Sequence, residues 1–186
     1  KWMVSDGNSL YFHNGSRELW MSDGTTSGTV LLKEFTQSNT SGGSILTNSA
    51  GVFANGLLFF VADDDNGREL WSSDGTTSGT QMVKDIRPGY PSSQTYNPYD
   101  GLSSDYLYVL GNHVYFAAND GTNGTELWKS DGTASGTMMV KDIYSGGGGL
   151  KNFNTMTVLD NNIYFTANDG THGTELWKSD GTTSGT

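Results

Sequence analysis

The sequence predicts an all-β chain of four-stranded antiparallel meanders repeated about every 50 residues, on three observations. One twelve-residue pattern recurs four times: "ELWMSDGTTSGT" from Glu18, "ELWSSDGTTSGT" from Glu69, "ELWKSDGTASGT" from Glu126 and "ELWKSDGTTSGT" from Glu175. The four glutamates are 51, 57 and 49 residues apart, well beyond leucine-rich or ankyrin periods. Composition is the second observation: 26 glycines and 3 prolines among 186 residues, with 12% aromatics, suit short strands and tight turns and not a disordered tract. The third is the absence of any stretch with a helical period and matching caps.

The third repeat shows the elements in order. "DYLYVL" (105–110) reads as a strand and "GN" (111–112) as a turn. "VYFAAN" (114–119) is a second strand, followed by the loop "DGTNG". "TELWKS" (125–130) is a third, followed by "DGTASG", and "TMMVKDI" (137–143) is a fourth. Each run is short, rich in β-branched, aromatic or Met residues, and bounded by Gly, Asn and Asp. Four such strands joined in sequence form the blade unit of a β-propeller. On this pattern the chain divides into repeats at 1–43, 44–87, 88–144 and 145–186. The first has a shortened loop ("YFHNGSRELW"), and the last stops before its fourth strand. The expectation is a segment of a longer blade array.

Roles follow for the repeated residues. Trp20, Trp71, Trp128 and Trp177 hold one register and are expected to pack between blades. Full burial of one indole contributes up to about 4–6 kcal/mol. Asp23, Asp74, Asp131 and Asp180 open the loops that turn strand three into strand four. Their carboxylates can accept bonds from loop amides, while the following Gly supplies positive φ. A Lys stands fifteen residues after each of the first three glutamates (Glu18 and Lys33, Glu69 and Lys84, Glu126 and Lys141), which predicts cross-strand ion pairs.

These motifs resemble the ELWxxDGT repeat family, and the likeness covers nearly the whole chain, including "VKDI" at 83–86 and 140–143. The resemblance implies a secreted or surface-attached bacterial repeat protein, β-propeller-like in fold. It implies little about a ligand.

Composition narrows the chemistry. A formal charge of −10 argues against nucleic acid and anionic membrane as partners, since both need a basic footprint. With no cysteine there are no disulfides or thiolate metal sites, and no apolar run is long enough for a membrane helix. Two places are left for a site. In the acidic loops, Asp63, Asp64 and Asp65, with Asp120 and Asp169 in later repeats, are oxygen ligands of the kind calcium takes; the alternative is a solvated turn. In the long connection "RPGYPSSQTYNPYDGLSSDY" (87–106), Tyr90, Tyr96, Tyr99 and Tyr106 could stack on a neutral sugar. Equally, these rings could cover the chain's own core. His13, His113 and His172 occupy different places in the repeat and read as ordinary loop histidines. No nucleophile motif or isolated carboxylate pair is evident, so no catalytic residue is assigned. The sequence therefore predicts a non-enzymatic extracellular module for adhesion or ligand binding, carbohydrate being the leading class, with calcium as the only cofactor it suggests. Its alternatives are a structural scaffold or filament component, and part of a carbohydrate-active enzyme. Other repeats, neighbouring subunits, a glycan or a matrix protein are the expected partners.

Overall fold

The computed structural model describes residues 1–15, 17–36, 44–46, 50–88, 101–103, 106–150 and 156–186. Among them are seventeen strands and no helix, hence no helix long and apolar enough to cross a membrane. All strand pairing is antiparallel.

The first sheet runs in chain order: β1 (Met3–Ser5), β2 (Leu10–His13), β3 (Glu18–Ser22) and β4 (Val30–Glu34). In the second, two short strands share the first position. β5 (Ser44–Ile45) and β6 (Val52–Ala54) both pair with β7 (Leu57–Asp64), which is followed by β8 (Gly67–Ser73) and β9 (Gln81–Lys84). The third sheet repeats this arrangement with β10 (Gly101–Leu102), β11 (Tyr108–Leu110), β12 (His113–Asn119), β13 (Thr125–Ser130) and β14 (Met138–Lys141). The fourth has three strands: β15 (Thr157–Leu159), β16 (Asn162–Asn168) and β17 (Thr174–Ser179).

Successive sheets pack face to face through three apolar layers. The layer between the first and second sheets holds Tyr11, Leu19, Leu32 and Phe35 against Leu58, Phe60 and Trp71. The next sets Phe59, Val61, Leu70 and Val83 against Val114, Phe116 and Trp128. The last sets Tyr115, Ala117, Leu127 and Val140 against Ile163, Phe165 and a partly buried Trp177. The period-two alternation of a strand produces this directly. In "LW", the leucine faces the following sheet and the tryptophan the preceding one. In "YF" or "FF", the first ring faces forward and the second back. Both faces of the middle sheets are thus buried, and β7 and β12 carry the apolar runs 57–62 and 114–118.

Each of the first three sheets carries a one-residue bulge where strand three meets strand four. Leu19 pairs with Lys33 but Trp20 with Leu31, so Leu32 is the extra residue. Val83 and Val140 are its equivalents. All three are buried, at 1%, 6% and 3% exposure. An extra residue moves everything beyond it to the opposite face. Without the bulge each Lys would lie opposite the repeated Glu; with it, Lys33, Lys84 and Lys141 lie opposite Leu19, Leu70 and Leu127.

Candidate functional site

The bulge overturns the predicted ion pairs between Glu18 and Lys33, Glu69 and Lys84, and Glu126 and Lys141. Each lysine reaches forward to the next sheet instead. The ammonium groups of Lys33, Lys84 and Lys141 sit 5.0, 5.8 and 5.7 Å from the ring centres of Trp71, Trp128 and Trp177. Lys84 Nζ also donates to the Thr137 carbonyl at 2.8 Å, and Lys141 Nζ to that of Thr186 at 2.6 Å. An ammonium over an indole face contributes about 0.5–1 kcal/mol at exposed sites and more when desolvated. The lysine therefore couples neighbouring sheets where the sequence count assigned it to one.

The glutamate has a separate task. Glu126 is fully buried, and its carboxylate accepts from the amides of Ile143 (3.3 Å), Tyr144 (3.4 Å) and Gly149 (2.7 Å). It thereby fastens the connection leading from the third sheet to the fourth. Glu69, also buried, does the same with the amides of Ile86 and Arg87. Burial outweighs these donors and pushes the Glu126 carboxyl up to about 7 and that of Glu69 up to about 9. In the first sheet Glu18 accepts instead from Trp20 Nε1 at 3.0 Å and from Asn14. Among the described residues the indole N–H groups of Trp71 and Trp128 are buried without a partner, as is Glu69 Oε2. Nothing in the sequence near Glu126 marks its partners, which are backbone amides 17 to 23 residues away.

The Asp-Gly-Thr loops are self-contained. Asp131 Oδ1 accepts from both the amide and the hydroxyl of Thr133, at 2.8 Å each. Thr133 Oγ1 accepts from Gly136 N, and Thr137 Oγ1 donates to Thr133 O. Asp23, Asp74 and Asp180 make the same bonds. These bonds hold the aspartates below the usual carboxylate range, the Thr25 hydroxyl being the largest cause for Asp23 and the Thr133 amide for Asp131. The following glycine has a second reason besides its positive φ. Side chains of the preceding sheet lie where one here would stand: the Tyr11 hydroxyl over Gly75, Leu57 and Phe59 beside Gly132, and the Tyr115 hydroxyl over Gly181.

The structure places the predicted calcium ligands in three separate loops, with Asp64 and Asp65 on one cleft. Asp63 and Asp64 are consecutive strand residues and so point to opposite faces. Asp63 lies 3.7 Å from Arg68 Nε, its cross-strand neighbour. Asp64 accepts from Asn66 N at 2.8 Å, and Asp64 and Asp65 join Lys33, Glu34 and Asn66 in lining a polar cleft. Asp120 accepts from the amides of Thr122 and Asn123 and from Asn123 Nδ2. Asp169 accepts from the amides of Thr171 and His172 and from His172 Nδ1 at 2.7 Å. Among the described residues no group of three or more His, Cys, Asp or Glu side chains is disposed to hold a metal.

Of the four tyrosines proposed for sugar stacking, Tyr90, Tyr96 and Tyr99 lie outside the described residues. Tyr106 is 38% exposed. The histidine reading is corrected at two positions: His113 is the first residue of β12, opposite Leu110, and His13 is buried in β2, where Nε2 accepts from Trp2 N at 2.9 Å and Nδ1 bonds the Gly15 carbonyl. Burial lowers its pKa and keeps the ring neutral.

No family model and no curated protein matches the chain. Among solved structures, it is similar over 94% of its length to 44% of a computationally designed protein, Ika8, at 18% identity and a TM-score of 0.46. A puromycin hydrolase S511A mutant complexed with PGG is similar at 14% identity and a TM-score of 0.30, over 97% of this chain and 36% of that one. The chain thus spans less than half the length of either structure.

Proposed function

We propose that the chain is a non-enzymatic extracellular module of consecutive β-propeller blades that carries ligand-binding connections on a rigid repeat scaffold. One observation supports this most: the repeated polar side chains end inside the scaffold. The aspartates bond their own loops, Glu69 and Glu126 fasten the connections, and the lysines clasp the next sheet. Residues that recur in every unit are thereby committed to architecture. Binding then falls to what differs between units, above all the connection 87–106 with its four tyrosines. A neutral glycan suits rings accompanied by Asn and Asp, and the ELWxxDGT resemblance supports a place outside the cell.

The test is a glycan array probed with the intact chain, with and without calcium. Binding to a defined neutral sugar class, lost in the Tyr96→Ala, Tyr99→Ala double variant with an unchanged melting temperature, is the expected result. Calcium dependence would tie the acidic loops to the same surface. Retention of full affinity by the double variant, or silence of the folded protein on every glycan, overturns the binding reading.

A further inference from the structure

The three joints between sheets differ at the end of strand four. After the repeated lysine the chain reads Glu34-Phe35-Thr36 in the first sheet, Asp85-Ile86-Arg87 in the second and Asp142-Ile143-Tyr144 in the third. Phe35, Ile86 and Ile143 are buried alike in the joint that follows each. In two cases the next residue crosses to the neighbouring sheet. Arg87 lies over the loop between β12 and β13, where a side chain at Gly121 would come within 2.9 Å of its Nε. The Tyr144 ring lies over Gly170 in the same way. Thr36, at the equivalent place in the first joint, is short and exposed. The loop it faces is short too. Four residues lie between the paired Asp63 and Arg68, against five between Asn119 and Thr125 and between Asn168 and Thr174.

The space between them is a cleft of about 250 Å³, lined by Lys33, Glu34 and Phe35 as well as by Thr36 and the turn 64–66. Its charge is unbalanced. The carboxylates of Glu34, Asp64 and Asp65 stand against one ammonium, that of Lys33, which is held 5.0 Å from the Trp71 ring centre. Close to Asp64, Asp85 Oδ1 and Glu69 Oε2 are buried, and neither has a hydrogen-bond partner among the described residues. Burial raises both of these carboxyls, and the charge of Asp64 raises them further. An incoming cation would relieve this repulsion.

We propose that this cleft is the docking site for an arginine side chain of a partner polypeptide. The second joint shows the equivalent space crossed by an arginine of the chain itself, Arg87. In the first joint a threonine stands in its place, and carboxylates line the gap. A planar guanidinium carries five N–H donors and pairs with carboxylates two bonds at a time, which suits Asp64, Asp65 and Glu34. Its alkyl stem can lie along Phe35. Among the described residues no group of three or more His, Cys, Asp or Glu side chains is disposed to hold a metal, so an organic cation is the better fit. The formal charge of −10 favours a basic partner in the approach as well. The site lies in a different joint from the connection 87–106 and does not depend on the glycan reading.

Titration of the isotope-labelled intact chain with acetyl-Gly-Arg-Gly-amide, followed by NMR, tests it. The amide signals of residues 64–66 and the Asn66 side-chain amide should move saturably. The same peptide with citrulline, which keeps the shape and loses the charge, should bind about tenfold more weakly. A lysine peptide should also be weaker, since an ammonium cannot pair bidentately. Thr36→Arg supplies the side chain in cis, as Arg87 does, and should abolish the shifts without lowering the melting temperature. Asp65→Asn, at an exposed turn position, should weaken binding and serves as the second variant. The proposal is overturned if the folded parent shows no saturable shift, if the citrulline or lysine peptide binds as well, or if both variants bind as the parent does. Guanidinium chloride saturating the same signals at the same concentration would make this a small-cation site, and calcium displacing the peptide would make it a metal site. Either result also overturns it.

Discussion

β13 and β17 have one sequence, Thr-Glu-Leu-Trp-Lys-Ser, and two fates. In β13, Glu126 and Leu127 are completely buried. In β17, Glu175 is exposed and Leu176 is 74% exposed. Local propensity is identical, so the difference belongs entirely to the neighbours. β13 has β14 along its edge, the connection 143–149 above its glutamate and the fourth sheet against its face. β17 pairs only with β16 among the described residues. The repeated strand thus specifies a surface that is completed by the next unit, and most of its stabilisation appears only when that unit arrives.

The strongest way to break the comparison is at the glutamate. Glu126→Ala leaves three amides, two of them buried, without this acceptor and should cost about 3–5 kcal/mol. Glu175→Ala, at an exposed position of the same sequence, should stay within about 0.5 kcal/mol. Chemical denaturation of both variants decides it, and equal effects would mean that the carboxylate matters to its strand and not to the connection.

Glycine gives a finer cut. Gly24 and Gly132 both have positive φ, at 89° and 97°. A side chain at Gly24 meets open space, whereas one at Gly132 would lie 2.6 Å from Leu57 Cδ1 and 3.2 Å from Phe59 Cζ. Gly24→Ala should therefore cost about 1–2 kcal/mol for backbone strain alone. Gly132→Ala should cost about 1–3 kcal/mol beyond that, for overpacking the joint between the second and third sheets. Identical losses would show that the preceding sheet does not press on the loop.

A further expected effect is a slope with pH. The folded-state carboxyls of Glu126 and Glu69 are raised to about 7 and about 9, so each contributes stability that is fully present below its ordinary value near 4.5. That contribution is lost as pH rises through 7 for Glu126 and through 9 for Glu69. The depressed aspartates of the loops act oppositely, losing their contribution as pH falls below 3.8. Melting temperature should thus decline between pH 5 and pH 8. Glu126→Gln should flatten the part of that decline between 4.5 and 7. A melting temperature that instead rises across this window would sink the assignment of both buried acids.

The hairpins, the tryptophan register and the Asp-Gly-Thr turns were legible because each is written within a dozen residues. Turn chemistry is local, and strand alternation has a period of two. The partners of Glu126 were not legible, since amides carry no side-chain signature. The lysine was misassigned for a different reason. A count of fifteen residues places it opposite the glutamate only if the ladder is regular, and the extra residue at Leu32, Val83 or Val140 is apolar like its neighbours. A bulge made of ordinary strand residues leaves no mark in composition. In the acidic loop "DDDNG" the pleat turns Asp63 and Asp64 to opposite faces, while Asp64 and Asp65 line one cleft, a division that the run of letters does not display.

The bulge also bears on how the chain comes apart. Because it turns each lysine outward to the next tryptophan, a unit's electrostatic clasp is spent on its neighbour and not on itself. Unfolding should then proceed as fraying from the ends of a one-dimensional lattice, each lost sheet uncovering the next. Among the described residues β17 pairs only with β16 and Leu176 is exposed, so amide exchange in this stretch should begin at the fourth sheet, with the second and third sheets the last to yield.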